Sequence, residues 1–119
     1  MANPIVHWEI VGGDVKKLSA FYKNIFGWKI ENTPMNYSIV DTGDPGVGIN
    51  GGIGAGEGGA KHVTFYASVD DLGATLKKIE KAGGKTVVPP TVIPNMVTFA
   101  LFTDPEGHMV GLVKDDGQH

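Results

Sequence analysis

The sequence predicts an α+β fold built from two βαβββ modules. Two observations carry that expectation. An alternating apolar stretch runs into a helical stripe twice, at Val6 to Val15 (VHWEIVGGDV) and at Lys61 to Asp71 (KHVTFYASVDD). In each, a histidine opens the strand and an Asp seven or eight residues later begins the helix. The landmarks also repeat at nearly one spacing: His7 and His62 are 55 residues apart, Asp14 and Asp70 are 56, and Gly27 and Gly83 are 56. Repetition this regular implies two related modules, each too small to bury its own sheet alone.

The elements follow in order. Pro4 to Val11 alternates as a strand, with His7 and Glu9 on one face and Trp8 on the other, where it packs under a helix. Asp14 is placed to cap a helix whose stripe is Val15, Leu18, Phe21, Tyr22 and Ile25, and Gly27 is placed to end it in the left-handed conformation. Trp28 to Asn32 and Asn36 to Asp41 read as strands on either side of the break at Pro34. Residues 42–60 are Gly-rich; a short strand fits at Gly48 to Gly54, and the remainder reads as a flexible connection. In the second copy, His62 to Ser68 puts His62, Thr64 and Tyr66 on one face and Val63 and Phe65 on the other. Asp70 caps a helix carrying Leu72, Leu76 and Ile79, which Gly83-Gly84 closes. Lys85 to Val88 is a strand stopped by Pro89-Pro90. Met96 to Phe102 and His108 to Val113 are the last strands, joined by the turn Asp104 to Gly107. Asp44-Pro45 and Asp104-Pro105 each precede the last strand of a module. The organisation expected is a single domain, 1–119, with module one at 1–54, a connection at 55–60, module two at 61–114 and a solvated tail at 115–119.

Composition narrows the function. The chain has no cysteine, so disulfides, thiolate chemistry and Cys-based zinc sites are excluded. All ten basic residues are lysines and the net charge is −3, which argues against nucleic acid as a partner. No segment has the length and apolarity of a membrane span, so a soluble, cytoplasmic protein is the expectation. Gly46 to Gly51 and Gly54 to Gly59 both satisfy G-x-G-x-x-G. Each is followed by more glycine or a strand rather than a helix, so neither reads as a dinucleotide fingerprint.

His7 on the first strand, FYKNIFGWKI (Phe21 to Ile30), His62 on the fifth strand and FTDPEGHMVGLV (Phe102 to Val113) together resemble the vicinal oxygen chelate superfamily. That group holds glyoxalase I, extradiol dioxygenases and bleomycin-resistance proteins. The resemblance implies a cupped, incomplete barrel of mixed sheet with the helices outside and the ligand in the cup. It also implies a homodimer. In the family's metal enzymes, each module gives a His or Gln from its first strand and a Glu from its last. The corresponding positions here are His7 and His62, then Gly51 or Gly52, and Gly111. Both expected carboxylates are therefore missing.

A catalytic divalent metal takes about three protein ligands. Glu9 stands on the same strand face as His7, so His7, His62 and Glu9 are a candidate metal set, which would serve a lyase, isomerase or dioxygenase. The leading expectation is instead a metal-independent member that binds a small organic molecule. Its pocket would be lined by His7, Glu9, His62, Thr64, Tyr66 and Gly111. Gly51, Gly52 and Gly111 would widen that pocket by lacking side chains. A non-catalytic interaction module is the third reading. His108 reads as a residue flanking its turn rather than as a ligand.

Overall fold

The computed structural model describes residues 2–44, 46–94 and 96–115. Pro45 and the tail beyond Asp115 lie outside the described residues. The fold is α+β, with two helices outside an eight-stranded mixed sheet that does not close. By contacts the chain forms two compact units, His7–Thr64 and Met1–Val6 with Phe65–His119.

In the first unit the strand order is β2 (Lys29–Thr33), β3 (Tyr37–Asp41), β4 (Gly51–Ala55), β1 (Ile5–Gly12). β1 and β4 run parallel, with Trp8 opposite Gly51 and Glu9 opposite Gly52. β3 is antiparallel to both β2 and β4. Helix α1 (Val15–Phe26) starts where predicted: the Asp14 side chain accepts a hydrogen bond from the Lys17 N–H at 3.0 Å. It ends at Gly27, whose φ of 70° most other residues adopt only with strain. Under the helix, Val15, Val40 and Ile53 form a buried cluster, joined by Trp8, Ile10, Leu18, Tyr22, Trp28 and Ile30. Trp8 thus packs beneath α1 as expected, 5.2 Å from the Trp28 ring, and its indole N–H donates to the Ile49 carbonyl. Each aliphatic side chain buried in such a cluster contributes about 1.5–3 kcal/mol. The predicted stripe is only half right: Phe21 and Ile25 are exposed, and Ser19 is buried in their stead. Ser19 is satisfied there by a 2.8 Å hydrogen bond to Ser38, whose hydroxyl donates to Asn32.

In the second unit the order is β5 (His62–Val69), β8 (Met109–Lys114), β7 (Val97–Thr103), β6 (Lys85–Ile93). β5 and β8 are parallel, with Tyr66 opposite Gly111. Helix α2 (Leu72–Lys81) packs Leu72 and Leu76 against Val69, Ala100 and Leu112. The N-terminal residues belong to this unit, since the Ser68 N–H donates to the Pro4 carbonyl at 2.8 Å.

Three expectations are corrected here. The cap of α2 is Asp71, which accepts from the Ala74 N–H, and not Asp70, because β5 continues through Val69 and leaves Asp70 as the bend. β6 does not stop at Val88 but runs through Pro89-Pro90 to Ile93. It is the last strand in the sheet order, and its register to β7 shifts twice across this stretch; an edge strand with bulges is where proline fits. Within the Gly-rich stretch, β4 spans Gly51–Ala55, and its first four residues are buried, so that segment is core rather than linker. The Asp104 turn behaves as predicted: its carboxylate accepts from the His108 N–H at 2.9 Å and lies 3.0 Å from the His108 ring. The backbone bond from His108, with the ring's help, holds the Asp104 carboxyl below its usual range.

Moving the cap to Asp71 also moves the repeat. Asp14 and Asp71 are 57 residues apart, and β1 and β5 are both eight residues long. Counted from the caps, His7 corresponds to Thr64 and Glu9 to Tyr66. His62 opens β5 where β1 opens with Ile5. The two histidines therefore do not mark the same spot in the two modules.

Candidate functional site

Alternation along β1 puts His7 and Glu9 on one face, and the structure joins them through a residue the sequence did not single out. The Tyr37 hydroxyl donates to a Glu9 carboxylate oxygen at 3.0 Å and lies 3.0 Å from His7 Nε2. A phenol has one proton. With that proton on the Glu9 bond, the His7 contact is an Nε2–H donating to the Tyr37 oxygen, a tautomer assigned from this pattern. Burial holds the His7 imidazole below its ordinary value of 6.5, and the Glu9 charge only partly offsets this. His7 is thus neutral at neutral pH.

Tyr37 reaches β1 by lying across β4. It starts on β3 opposite Gly54 and extends over Gly52, the residue opposite Glu9. A Cβ at Gly52 would coincide with the Tyr37 hydroxyl, and one at Gly54 would sit 2.9 Å from the ring. On the other face of β4, a Cβ at Gly51 would overlap the Trp8 ring. In the second unit, a Cβ at Gly111 would overlap the ring of Tyr66, its direct partner in register. The glycines do not widen a pocket, as the sequence suggested. Each leaves room that an aromatic ring of this same chain fills.

The remaining predicted residues fall as follows. Thr64 and Tyr66 are buried, on the face of β5 that alternation assigned them, while Val63 is 73% exposed and Phe65 42%. The usual rule of apolar residues inward is thus reversed along this strand. His62 lines a groove beside α1 with Ile10, Leu18 and Phe21. His7 and Glu9 do not line that groove. Among the described residues, no three His, Cys, Asp or Glu side chains come together as metal donors, so the set His7, His62 and Glu9 is not assembled.

The family's metal can be tested against the same geometry. Of the first-strand positions, His7 is a donor of the right kind and Thr64 stands at its counterpart. Of the last-strand positions, Gly52 has its side-chain space taken by Tyr37 and Gly111 by Tyr66. The residues present do not make up that ligand set.

Sequence reasoning missed Tyr37 because it stands 15 residues before Gly52 with no local signature. The available signal was the pair itself: a tyrosine on one strand and bare glycines at alternate positions of the next.

Comparison with known proteins is consistent with this architecture. The family model described as Glyoxalase/Bleomycin resistance protein/Dioxygenase superfamily matches residues 4–112. A glyoxylase-like domain-containing protein of Didymella fabae is 33% identical over 109 residues, covering 84% of each chain. A probable lactoylglutathione lyase of Vibrio cholerae is 29% identical over 128 residues, covering 97% of this chain and 93% of that one. A hypothetical protein of Bacillus halodurans superposes with a TM-score of 0.69 at 13% identity, over 100% of this chain and 99% of that one, which supports the fold alone. No helix among the described residues is long and apolar enough to cross a membrane.

Proposed function

Because the chain belongs to the Glyoxalase/Bleomycin resistance protein/Dioxygenase superfamily, we propose that it binds a small organic molecule without the family's complete metal centre. One observation carries this reading. The Tyr37 hydroxyl stands where a carboxylate at position 52 would have to be, hydrogen-bonded to both His7 and Glu9. The three side chains offer a neutral imidazole, a phenol and a carboxylate in a row. Such a row orients an oxygen-bearing ligand and can give or take one proton near neutral pH. Pairing of two copies belongs to the same proposal. The exposed Ile25 and Phe26 near the end of α1 supply apolar surface for it, and a monomer by light scattering at every concentration would remove this part.

The test is thermal unfolding of metal-stripped protein with Zn²⁺, Ni²⁺, Mn²⁺ or Fe²⁺, beside His7→Ala. A metal bound to the native state at about a hundredfold over its Kd adds about 2.7 kcal/mol. The expected result is no metal-dependent rise that His7→Ala abolishes, together with stabilisation by members of a panel of aromatic small molecules. A rise of several degrees lost in His7→Ala would overturn the metal-free reading. The Vibrio cholerae relative's name suggests lactoylglutathione as a substrate. On this proposal, the present chain shows no turnover of it with any of the four metals.

A further inference from the structure

Beside α1, within the unit His7–Thr64, lies a groove of about 650 Å³, a volume within the range of small-molecule sites. Its walls are mainly apolar, from Ile10, Leu18, Phe21 and Val63. Three charged side chains also line it, Asp14, Lys17 and Lys61. Asp14 is already engaged: it caps α1 by accepting from the Lys17 N–H. The two lysines leave the groove with one excess positive charge.

His62 lines the same groove, and its Nε2 is buried with no hydrogen-bond partner among the described residues. A buried imidazole nitrogen without a partner is costly, and native structures rarely retain one unless something else satisfies it. His62 follows Lys61 directly in the chain. One uncompensated positive charge, one orphaned ring nitrogen and an apolar wall describe the complement of a particular ligand. It is anionic at one end, accepts a hydrogen bond there, and is apolar elsewhere.

We propose that this groove is a second binding site, separate from the His7–Tyr37–Glu9 row, for a small apolar monocarboxylic acid. Its carboxylate accepts from His62 Nε2–H and is balanced by Lys61 and Lys17. Its hydrocarbon body lies against Leu18, Phe21 and Val63. A single carboxylate matches the single excess charge. A phosphate ester would bring more charge and more acceptors than the groove's polar groups can meet.

The experiment uses the whole chain and benzoate as the probe, with benzamide as the neutral isostere. Calorimetry measures binding to wild type, His62→Gln and Val63→Trp. The last is an exposed position where a larger ring obstructs the groove with little effect on the core. Imidazole ¹⁵N shifts of His62 in wild type give a readout that needs no variant. The expected result is saturable benzoate binding that moves the His62 nitrogen signals. It weakens about tenfold or more in both variants, and benzamide binds at least about tenfold more weakly than benzoate. The proposal is overturned by equal binding of benzoate and benzamide, by binding unchanged in both variants, or by no saturable binding up to about 10 mM. Benzoate binding that survives in His62→Gln but is lost in Tyr37→Phe also overturns it. That outcome would place the ligand at the Tyr37 row and leave the first proposal standing.

Discussion

Tyr37 and Tyr66 solve the same steric problem in the two modules with different consequences. Each ring lies over a glycine where the family resemblance places a carboxylate, Tyr37 over Gly52 and Tyr66 over Gly111. Tyr66 sits directly opposite its glycine and is 6% exposed, so its ring is core. Tyr37 reaches its glycine from the far side of β4 with only the tip of the ring, and that tip carries the hydroxyl bonded to His7 and Glu9. One tyrosine is chiefly packing. The other brings a polar group to the place from which a metal ligand is missing.

The largest effect that tests this difference is at Gly111. A methyl group there meets the base of the Tyr66 ring, which cannot swing aside without leaving a buried position. Gly111→Ala should cost about 2–3 kcal/mol, as overpacked cores do, read as a shift in the urea midpoint. Gly52→Ala should cost less, about 1–2 kcal/mol, because the clash is with the far end of a half-buried side chain. In the double variant Gly52→Ala, Tyr37→Ala, the two costs should fall short of their sum, since the clash is gone. Equal costs at Gly52 and Gly111 would show that Tyr37 is held as rigidly as Tyr66, and the contrast would fail.

The same contrast explains what the sequence made legible. Helix starts, glycine stops and strand alternation are local, so the two βαβββ modules could be read from Asp14, Gly27 and the stripes around them. The second register could not. Asp70 and Asp71 are adjacent and equally good caps by type, and a slip of one residue turns a strand face over. That slip is what made His62 look like the partner of His7. The proline pair in β6 misled for a similar reason, because edge position belongs to the sheet and not to the segment. β4 was hidden because GGIG carries almost no side chain of its own; its strand character comes from rings supplied by Trp8 and Tyr37. Of the candidate site, His7 and Glu9 were legible from alternation alone, and the tyrosine that joins them was not.

A smaller effect isolates the hydroxyl. Tyr37→Phe keeps the ring over Gly52 and removes the bonds to His7 and Glu9. It should cost about 1–2 kcal/mol in denaturant unfolding, within the range for losing one buried hydroxyl and leaving its partners unsatisfied. No measurable loss would mean that the ring alone accounts for Tyr37, making it a second Tyr66.

The smallest effect is in pH, and it separates His7 from its counterpart Thr64. Burial keeps the folded-state pKa of His7 below 6.5, so the unfolded chain binds that proton more readily. Stability therefore falls as pH drops from about 6.5 towards the folded pKa, and below the folded pKa this loss is complete. Other groups titrate in the same range, so the quantity to measure is the difference between wild type and His7→Gln from about pH 7.5 to 5. The difference should shrink on acidification, because wild type alone carries the buried imidazole. The corresponding difference for Thr64→Ala should stay flat, since nothing at that position titrates. If wild type instead gains on His7→Gln as pH falls, the Glu9 charge outweighs burial. The Tyr37 row would then hold an imidazolium, a donor at both ring nitrogens, and its preferred ligand would be an anion rather than a neutral oxygen-bearing molecule.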